Sequence, residues 1–448
     1  MTEKNNSSTF RLLKSRRFLP LFITQFLGAF NDNLYKLAML ALIVYVLATG
    51  SSSEAALLSN IAAGLFMLPF FLASALAGQL SDKYEKSTLI KFIKLWEIGL
   101  MIIGAYGFYT GNIVLMMIIL FGMGLQSTFF GPIKYAILPQ HLEKDELLPA
   151  NSLMEAGVFL AILLGTLFGA PLILAENGIV LAAMGTISIA VLGFITALFI
   201  PKTARAAPDI RIRKNIFAET RTQFREAKSN PIIFLSIIGT SWFWMFGSVF
   251  LAQITPMARS LLYLDEYGMT AILALFTVGI GIGSILCNRI LKGQISGIYQ
   301  RKSLVIILLC GIFLYGTLVW YSTAVEQPVD GTLISVWAFI QNPITWVMGL
   351  AILGMSAAGG MFIVPLYARL QHQSDPDKCS RTIASNNVMN SVFMVLGAVA
   401  ALLILKLGSV LDLPLDVAEI LLIVSLLNYP MIKILKPLEQ DVPQSTSH

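Results

Sequence analysis

The stretch GQLSDKYEKSTLI, residues 78–90, is a charged island between two long apolar runs, 54–80 and 88–109. Asp82, Lys83, Glu85 and Lys86 fall within five residues of one another. Each flanking run, at about 1.5 Å of helix per residue, is long enough to cross a hydrocarbon core of about 30 Å. A short polar turn between two such runs is what a helical hairpin through a bilayer needs, because irregular backbone finds no hydrogen-bond partners in lipid. This stretch therefore decides in favour of a membrane protein over a soluble core.

The same alternation continues outward along all 448 residues, of which 56% are hydrophobic and 12% charged. Soluble domains carry roughly 25% charged residues and cannot cover so much apolar surface. Twelve spans are expected, at 18–47, 54–80, 88–109, 112–138, 150–174, 178–200, 231–256, 267–291, 303–323, 344–370, 382–406 and 414–435. The first is too long for a signal-peptide core and lacks a small-residue cleavage site, so it reads as a retained span. Of the 31 Lys and Arg, 26 fall on one side of this layout, Arg259 and Lys406 on the other, and Lys36, Lys94 and Lys134 within spans. The positive-inside rule then puts both termini in the cytoplasm. The net charge of +6 is accordingly a topology signal and not a sign of nucleic-acid binding.

The organisation expected is a cytoplasmic N-tail (1–17), a six-helix half (18–200), a basic cytoplasmic linker (201–230), a second six-helix half (231–435) and a cytoplasmic C-tail (436–448). Spans four and ten repeat at an offset of 232, matching Gly122 with Gly354, Met123 with Met355, Phe130 with Phe362, Tyr135 with Tyr367, Ala136 with Ala368 and Leu138 with Leu370. The linker has helical apolar spacing at Ile212, Ile216 and Phe224, compatible with a tether or with a helix on the membrane surface.

In the deciding stretch, Gly78, Leu80, Asp82, Lys83, Lys86 and Ile90 match a loop motif, so that the chain resembles the major facilitator superfamily. Glu85 stands in place of the motif's second glycine and Ser87 in place of a basic residue. The resemblance implies two six-helix halves, repeated in parallel around a central cavity. It makes Gly78, Asp82, Lys83 and Lys86 a cytoplasmic latch, with Asp82 meeting helix dipoles or cations. The segments TQFLGAFNDNLYKLAML (24–40), FFGPIKYAIL (129–138), ANSLMEAGVFLAILLG (150–165), GTSWFW (239–244) and GGMFIVPLYARLQ (359–371) are similar to the bacterial lysophospholipid transporter family. That likeness implies a protein of the bacterial inner membrane, which moves 2-acyl lysophospholipids such as lysophosphatidylethanolamine to the cytoplasmic face. It also implies a membrane-associated acyltransferase partner that restores the second chain. A basic residue expected after the aromatic motif of span seven is replaced by Leu251.

Polar groups inside spans usually face a cavity or a partner. Span one carries Asn31, Asp32, Asn33, Tyr35 and Lys36 near its middle; Asp32 and Lys36, one turn apart, either pair with each other or line a wet wall. Lys134 either snorkels to the interface or pairs with Glu155 across the hairpin of spans four and five. Glu97 and Lys94 are assigned to the latch. Span seven offers Trp242, Phe243 and Trp244 instead, as packing or as apolar contacts. Asp32, Asn31, Lys36, Lys134, Glu155 and Trp244 are thus the candidate substrate-binding residues. An acid for an ammonium, Lys134 for a phosphate and aromatics for a tail would suit a single-chain lipid.

Cys287, Cys310 and Cys379, with His141, His372 and His448, show no metal or nucleophile spacing, so neither metal, cofactor nor enzyme activity is expected. GIGIGS (279–284) reads as close helix packing within a span. GTLFGAP (165–171) approaches a motif of proton-coupled drug antiporters, but Ala170 interrupts it and Ile118 occupies the place of their span-four arginine. The leading expectation is a monomeric lysophospholipid flippase working by alternating access among membrane lipids. The alternatives are proton-coupled efflux of amphipathic drugs and a non-transporting scaffold for the acyltransferase.

Overall fold

The computed structural model describes residues 6–47, 52–213, 215–291, 295–325, 332–411, 413 and 415–439. The ends of the two expected tails, 1–5 and 440–448, lie outside the described residues. Among the described residues the fold is helical, with a single isolated β-bridge between Leu264 and Ile334. Eleven helices among the described residues are long and apolar enough to cross a membrane. The helix Lys86–Thr110, at the place expected for span three, is 25 residues long but diluted by Lys86, Lys91, Lys94 and Glu97. The protein is a multi-pass membrane protein.

Local chemistry fixes where helices stop. Span three ends on Gly111, whose φ of 62° is costly for a side-chain-bearing residue. The next residue, Asn112, caps span four by accepting from the Leu115 amide at 2.9 Å. Asn177, at φ 59°, takes the same left-handed turn between spans five and six, where an amide side chain is tolerated.

The chain divides into two compact units, Met1–Phe234 with Leu370–Ser391, and Leu235–Arg369 with Val392–His448. In the first, span five (Leu147–Leu174) lies against span one (Leu19–Leu42) because Gly165 and Gly169 have no side chains. A Cβ at Gly165 would come within 2.6 Å of the Phe30 carbonyl, and one at Gly169 within 3.0 Å of that of Leu34. GTLFGAP is therefore a packing surface, and it presses span one at the turn that carries its polar residues. Tyr35, Met39, Phe108, Met116 and Met123 form the apolar core beside it.

In the second unit GIGIGS packs as expected. A Cβ on Gly283 would strike the Ala357 carbonyl, and one on Gly360 would lie 2.7 Å from the Ser284 amide. Phe250 and Phe276 stack at 4.5 Å between ring centroids. Trp242 donates to Asn428 at 2.9 Å, and the buried Arg369 to Gln300 at 2.9 Å.

Candidate functional site

Span one delivers its polar residues to two different surroundings. Asn31 is fully buried and donates to Glu97 at 3.1 Å. Lys94 and Gln126 also donate to Glu97, at 2.6 and 2.9 Å. Lys94 further lies 5.2 Å from the centroid of the Phe130 ring and beneath Gly28, where any side chain would displace it. Thus Lys94 and Glu97 form a buried, hydrogen-bonded ion pair inside the membrane and are not part of the loop latch. A charge pair at this depth persists only when its remaining hydrogen-bonding capacity is met.

Asp32, on the adjacent face, is half-buried and accepts from Ser127 at 2.6 Å. Ser127 also lies 3.2 Å from the Gln126 side-chain oxygen, so Asp32 and Glu97 stand at the two ends of one polar cluster. Lys36 makes no ion pair with Asp32. It donates to Asn33 at 3.2 Å and lies 5.9 Å from the centre of the Phe66 ring. Gln126 and Ser127 were not singled out from sequence, although adjacent polar residues in an apolar span were the available signal.

Tyr135 joins the second pair of candidates. Its ring takes the Lys134 ammonium at 4.8 Å from the centroid, and its hydroxyl donates to Glu155. Among the described residues no ion pair closes between Lys134 and Glu155; the tyrosine serves both. Glu155 is fully buried, and its Oε2 has no hydrogen-bond partner among the described residues. In the second unit Trp244 is half-buried and donates to Tyr367 at 3.1 Å, with Phe243 edge-on at 5.7 Å.

Asp82 is the centre of the contacts made around the residues expected to form a latch. Asp82 accepts from the amides of Ser380 and Arg381 at 3.1 and 3.3 Å, and from the Arg381 guanidinium at 3.1 Å. These amides open the helix Cys379–Leu411, so the carboxylate occupies the positive end of a helix dipole. Gly78 permits the approach, since a Cβ there would lie 2.7 Å from that of Ala384. Lys83 donates to the Ile210 carbonyl at 3.0 Å, and Lys86 is buried close enough to Asp82 to feel its charge.

Glu85 and Ser87, the two departures from the motif, explain each other. Glu85 caps span three, accepting from the Ser87 and Thr88 amides at 2.9 and 2.8 Å and from both hydroxyls. It also accepts from the Thr203 amide at 2.9 Å, tying down the linker. Burial pushes this carboxyl up, but the hydrogen bonds from Thr88, Thr203 and Ser87 outweigh it and bring the pKa down to about 2. Another polar contact escaped the sequence: Asn151 and Gln371 exchange hydrogen bonds at 2.6 and 3.2 Å, while Gln371 also donates to the Tyr135 carbonyl at 3.1 Å.

Comparison with known proteins gives consistent answers. Residues 21–398 match the family model described as Major Facilitator Superfamily. A lysophospholipid transporter, LplT, of Pectobacterium carotovorum is 28% identical over 88% of each chain. The protein of the same name from Salmonella gallinarum is 28% identical over 80% of each. Among solved structures, the transporter FucP in the outward conformation superposes with a TM-score of 0.68 at 13% identity, covering 93% of this chain and 97% of that one. The human organic anion transporter MFSD10 gives 0.68 at 12%, covering 93% and 99%. These structural likenesses carry the fold alone.

Proposed function

We propose, because this chain belongs to the Major Facilitator Superfamily, that it carries lysophospholipids across the bacterial inner membrane to the cytoplasmic face by alternating access. The observation that carries this reading is the shared name of relatives aligned over 80–88% of the chain. The chemistry of the first unit agrees with it. Asp32, Lys36 and Lys134 are ionisable, only partly buried and set within spans, which suits them to meet a ligand. A zwitterionic headgroup offers an ammonium for Asp32 and a phosphate for Lys134 and Lys36. Asn31 and Glu155, both fully buried beside them, are the other two polar groups assigned to the headgroup. In the second unit, Trp244 and Phe243 present aromatic surface of the kind an acyl chain takes.

The energetics favour this division. An acyl chain gains about 0.8 kcal/mol per buried CH₂ and has little reason to leave an apolar environment, so the barrier to crossing lies in the head. Reacylation by a membrane-associated acyltransferase would consume the product and draw the flux inward. We infer that vesicles containing this protein alone move labelled lysophosphatidylethanolamine to equilibrium after the proton gradient is collapsed, and refuse a two-chain lipid. The second reading, proton-coupled efflux of amphipathic drugs, draws on Asp32, a carboxyl set within a span, as its proton carrier. It prevails if lysolipid does not move and a cationic dye is expelled only while the gradient stands.

A further inference from the structure

The linker helix Ile216–Ser229 is amphipathic in an inverted sense. The side it turns to the protein is polar: Glu219 and Gln223 are buried there together with Ala227. Phe217, by contrast, is 70% exposed. Ile212, expected to share its apolar face, lies before the helix begins.

The position of this helix is fixed by a ladder of hydrogen bonds along span two. Thr203 donates to Glu85 at 2.9 Å, Ala207 to the Asp82 carbonyl at 2.8 Å, and Lys83 to the Ile210 carbonyl at 3.0 Å. The Arg213 amide then donates to Gln79 at 2.8 Å, and the Gln223 side chain to the Ala75 carbonyl at 3.1 Å. As the linker advances, it retreats along span two from Glu85 to Ala75, about 15 Å at 1.5 Å per residue. The helix Ser52–Lys83, at 32 residues, is longer than a core of about 30 Å requires. Its charged end, with Asp82 and Lys83, reaches the headgroup layer, and the linker helix is drawn back beside the turns just below that end.

At that level the remaining sides of the linker helix sort by chemistry. Arg221, Arg225 and Lys228 point away from the protein and are exposed. Phe217 and Phe224 share one edge. Glu226 lies on the opposite edge, roughly 180° round the helix, 3.8 Å from Lys378. We propose that the linker helix Ile216–Ser229 is a seat for anionic phospholipid headgroups, with Arg221, Arg225 and Lys228 on the phosphates and Phe217 and Phe224 dipping among the upper acyl carbons. The acidic edge with Glu226 then faces water. Lipid charge is the occupant that fits three exposed cations and two aromatic rings beside the charged end of span two.

The test uses the full chain with Phe217→Cys carrying a bimane label, in vesicles of phosphatidylethanolamine with or without phosphatidylglycerol and with lipids brominated near the acyl carboxyl. The unsubstituted protein, taken through the same labelling, sets the background. Quenching at least twofold stronger with phosphatidylglycerol is expected, and Arg221→Gln/Arg225→Gln/Lys228→Gln should abolish the difference while leaving the gel-filtration profile unchanged. Equal quenching in the two compositions overturns the proposal, because the face would then not read charge. Absence of quenching in both overturns it as well; if the label is shielded only in native membranes, the occupant is a protein. None of these readouts depends on transport, so they stand apart from the lysolipid reading.

Discussion

Tyr135 and Tyr367 occupy matching positions of the internal repeat, yet they live in opposite chemistries. Tyr135, in the first unit, gives its hydroxyl to Glu155 and its ring to Lys134. Tyr367, in the second, accepts from Trp244, and the residue before it is the fully buried Leu366 where the first unit has Lys134. Two copies of one helix have thus diverged, one into a charge-handling surface and the other into an aromatic one. The divergence teaches that the scaffold and the ligand chemistry are separable. The shared glycine, methionine and phenylalanine positions keep the helix packed, while the neighbouring position decides what it can bind.

The largest test of this contrast is Lys94→Met, which strands Glu97 in the membrane. Breaking a buried pair costs about 3–5 kcal/mol, so the variant should lose most of its folded yield by fluorescence-detected size exclusion. Adding Glu97→Gln should recover much of it. In the second unit Trp242→Phe removes the bond to Asn428 and part of a buried ring, and should cost about 2 kcal/mol. Equal losses in the two units would end the claim that charge is concentrated in the first.

Next come the candidate ligand groups. Asp32→Asn, Lys134→Ala and Glu155→Gln should each lower lysolipid uptake by about 10- to 100-fold with normal insertion, since a charged hydrogen bond contributes about 1.5–3 kcal/mol. Trp244→Phe should cost about threefold or less. Wild-type uptake in both Asp32→Asn and Glu155→Gln would sink the headgroup assignment. The tyrosines sharpen the comparison further. Tyr135→Phe takes the donor from Glu155 and should slow uptake by about 5-fold, against about 2-fold for Tyr367→Phe, which removes one neutral acceptor.

The smallest effect belongs to the loop that decided the fold. With its pKa brought down to about 2, Glu85 contributes stability above the ordinary glutamate range, and that contribution fades as pH falls from about 4.5 toward 2. Glu85→Gln should flatten this acid limb of the melting temperature and leave neutral-pH uptake unchanged. A steeper limb in the variant would show that another group controls it.

Much of the fold was legible because lipid leaves so few options: an apolar run of the right length becomes a helix, and charge marks its ends. The helix packing of GIGIGS was readable for the same reason, glycine in a span having few other uses. The site was less so. Charge and depth pointed to Asp32, Lys134 and Glu155 as candidates, but pairing depends on which faces neighbouring helices present. Lys134 met Tyr135 instead of Glu155, and Asn31 turned to Glu97. Lys94 and Glu97, assigned to the latch from their nearness to it in sequence, instead joined Gln126 on span four. No spacing rule within one helix reports a partner supplied by another.

The buried Lys94–Glu97 pair also sets a condition on how the chain is made. A lysine or an acid near the middle of a span costs about 2.5–3.5 kcal/mol at insertion, so the segment 86–110 is a poor client for release into lipid by itself. A nascent chain that has reached Thr110 already has Asn31 to offer Glu97, but Gln126 is still to be translated. The full set of partners around Glu97 is therefore complete only once span four has been made.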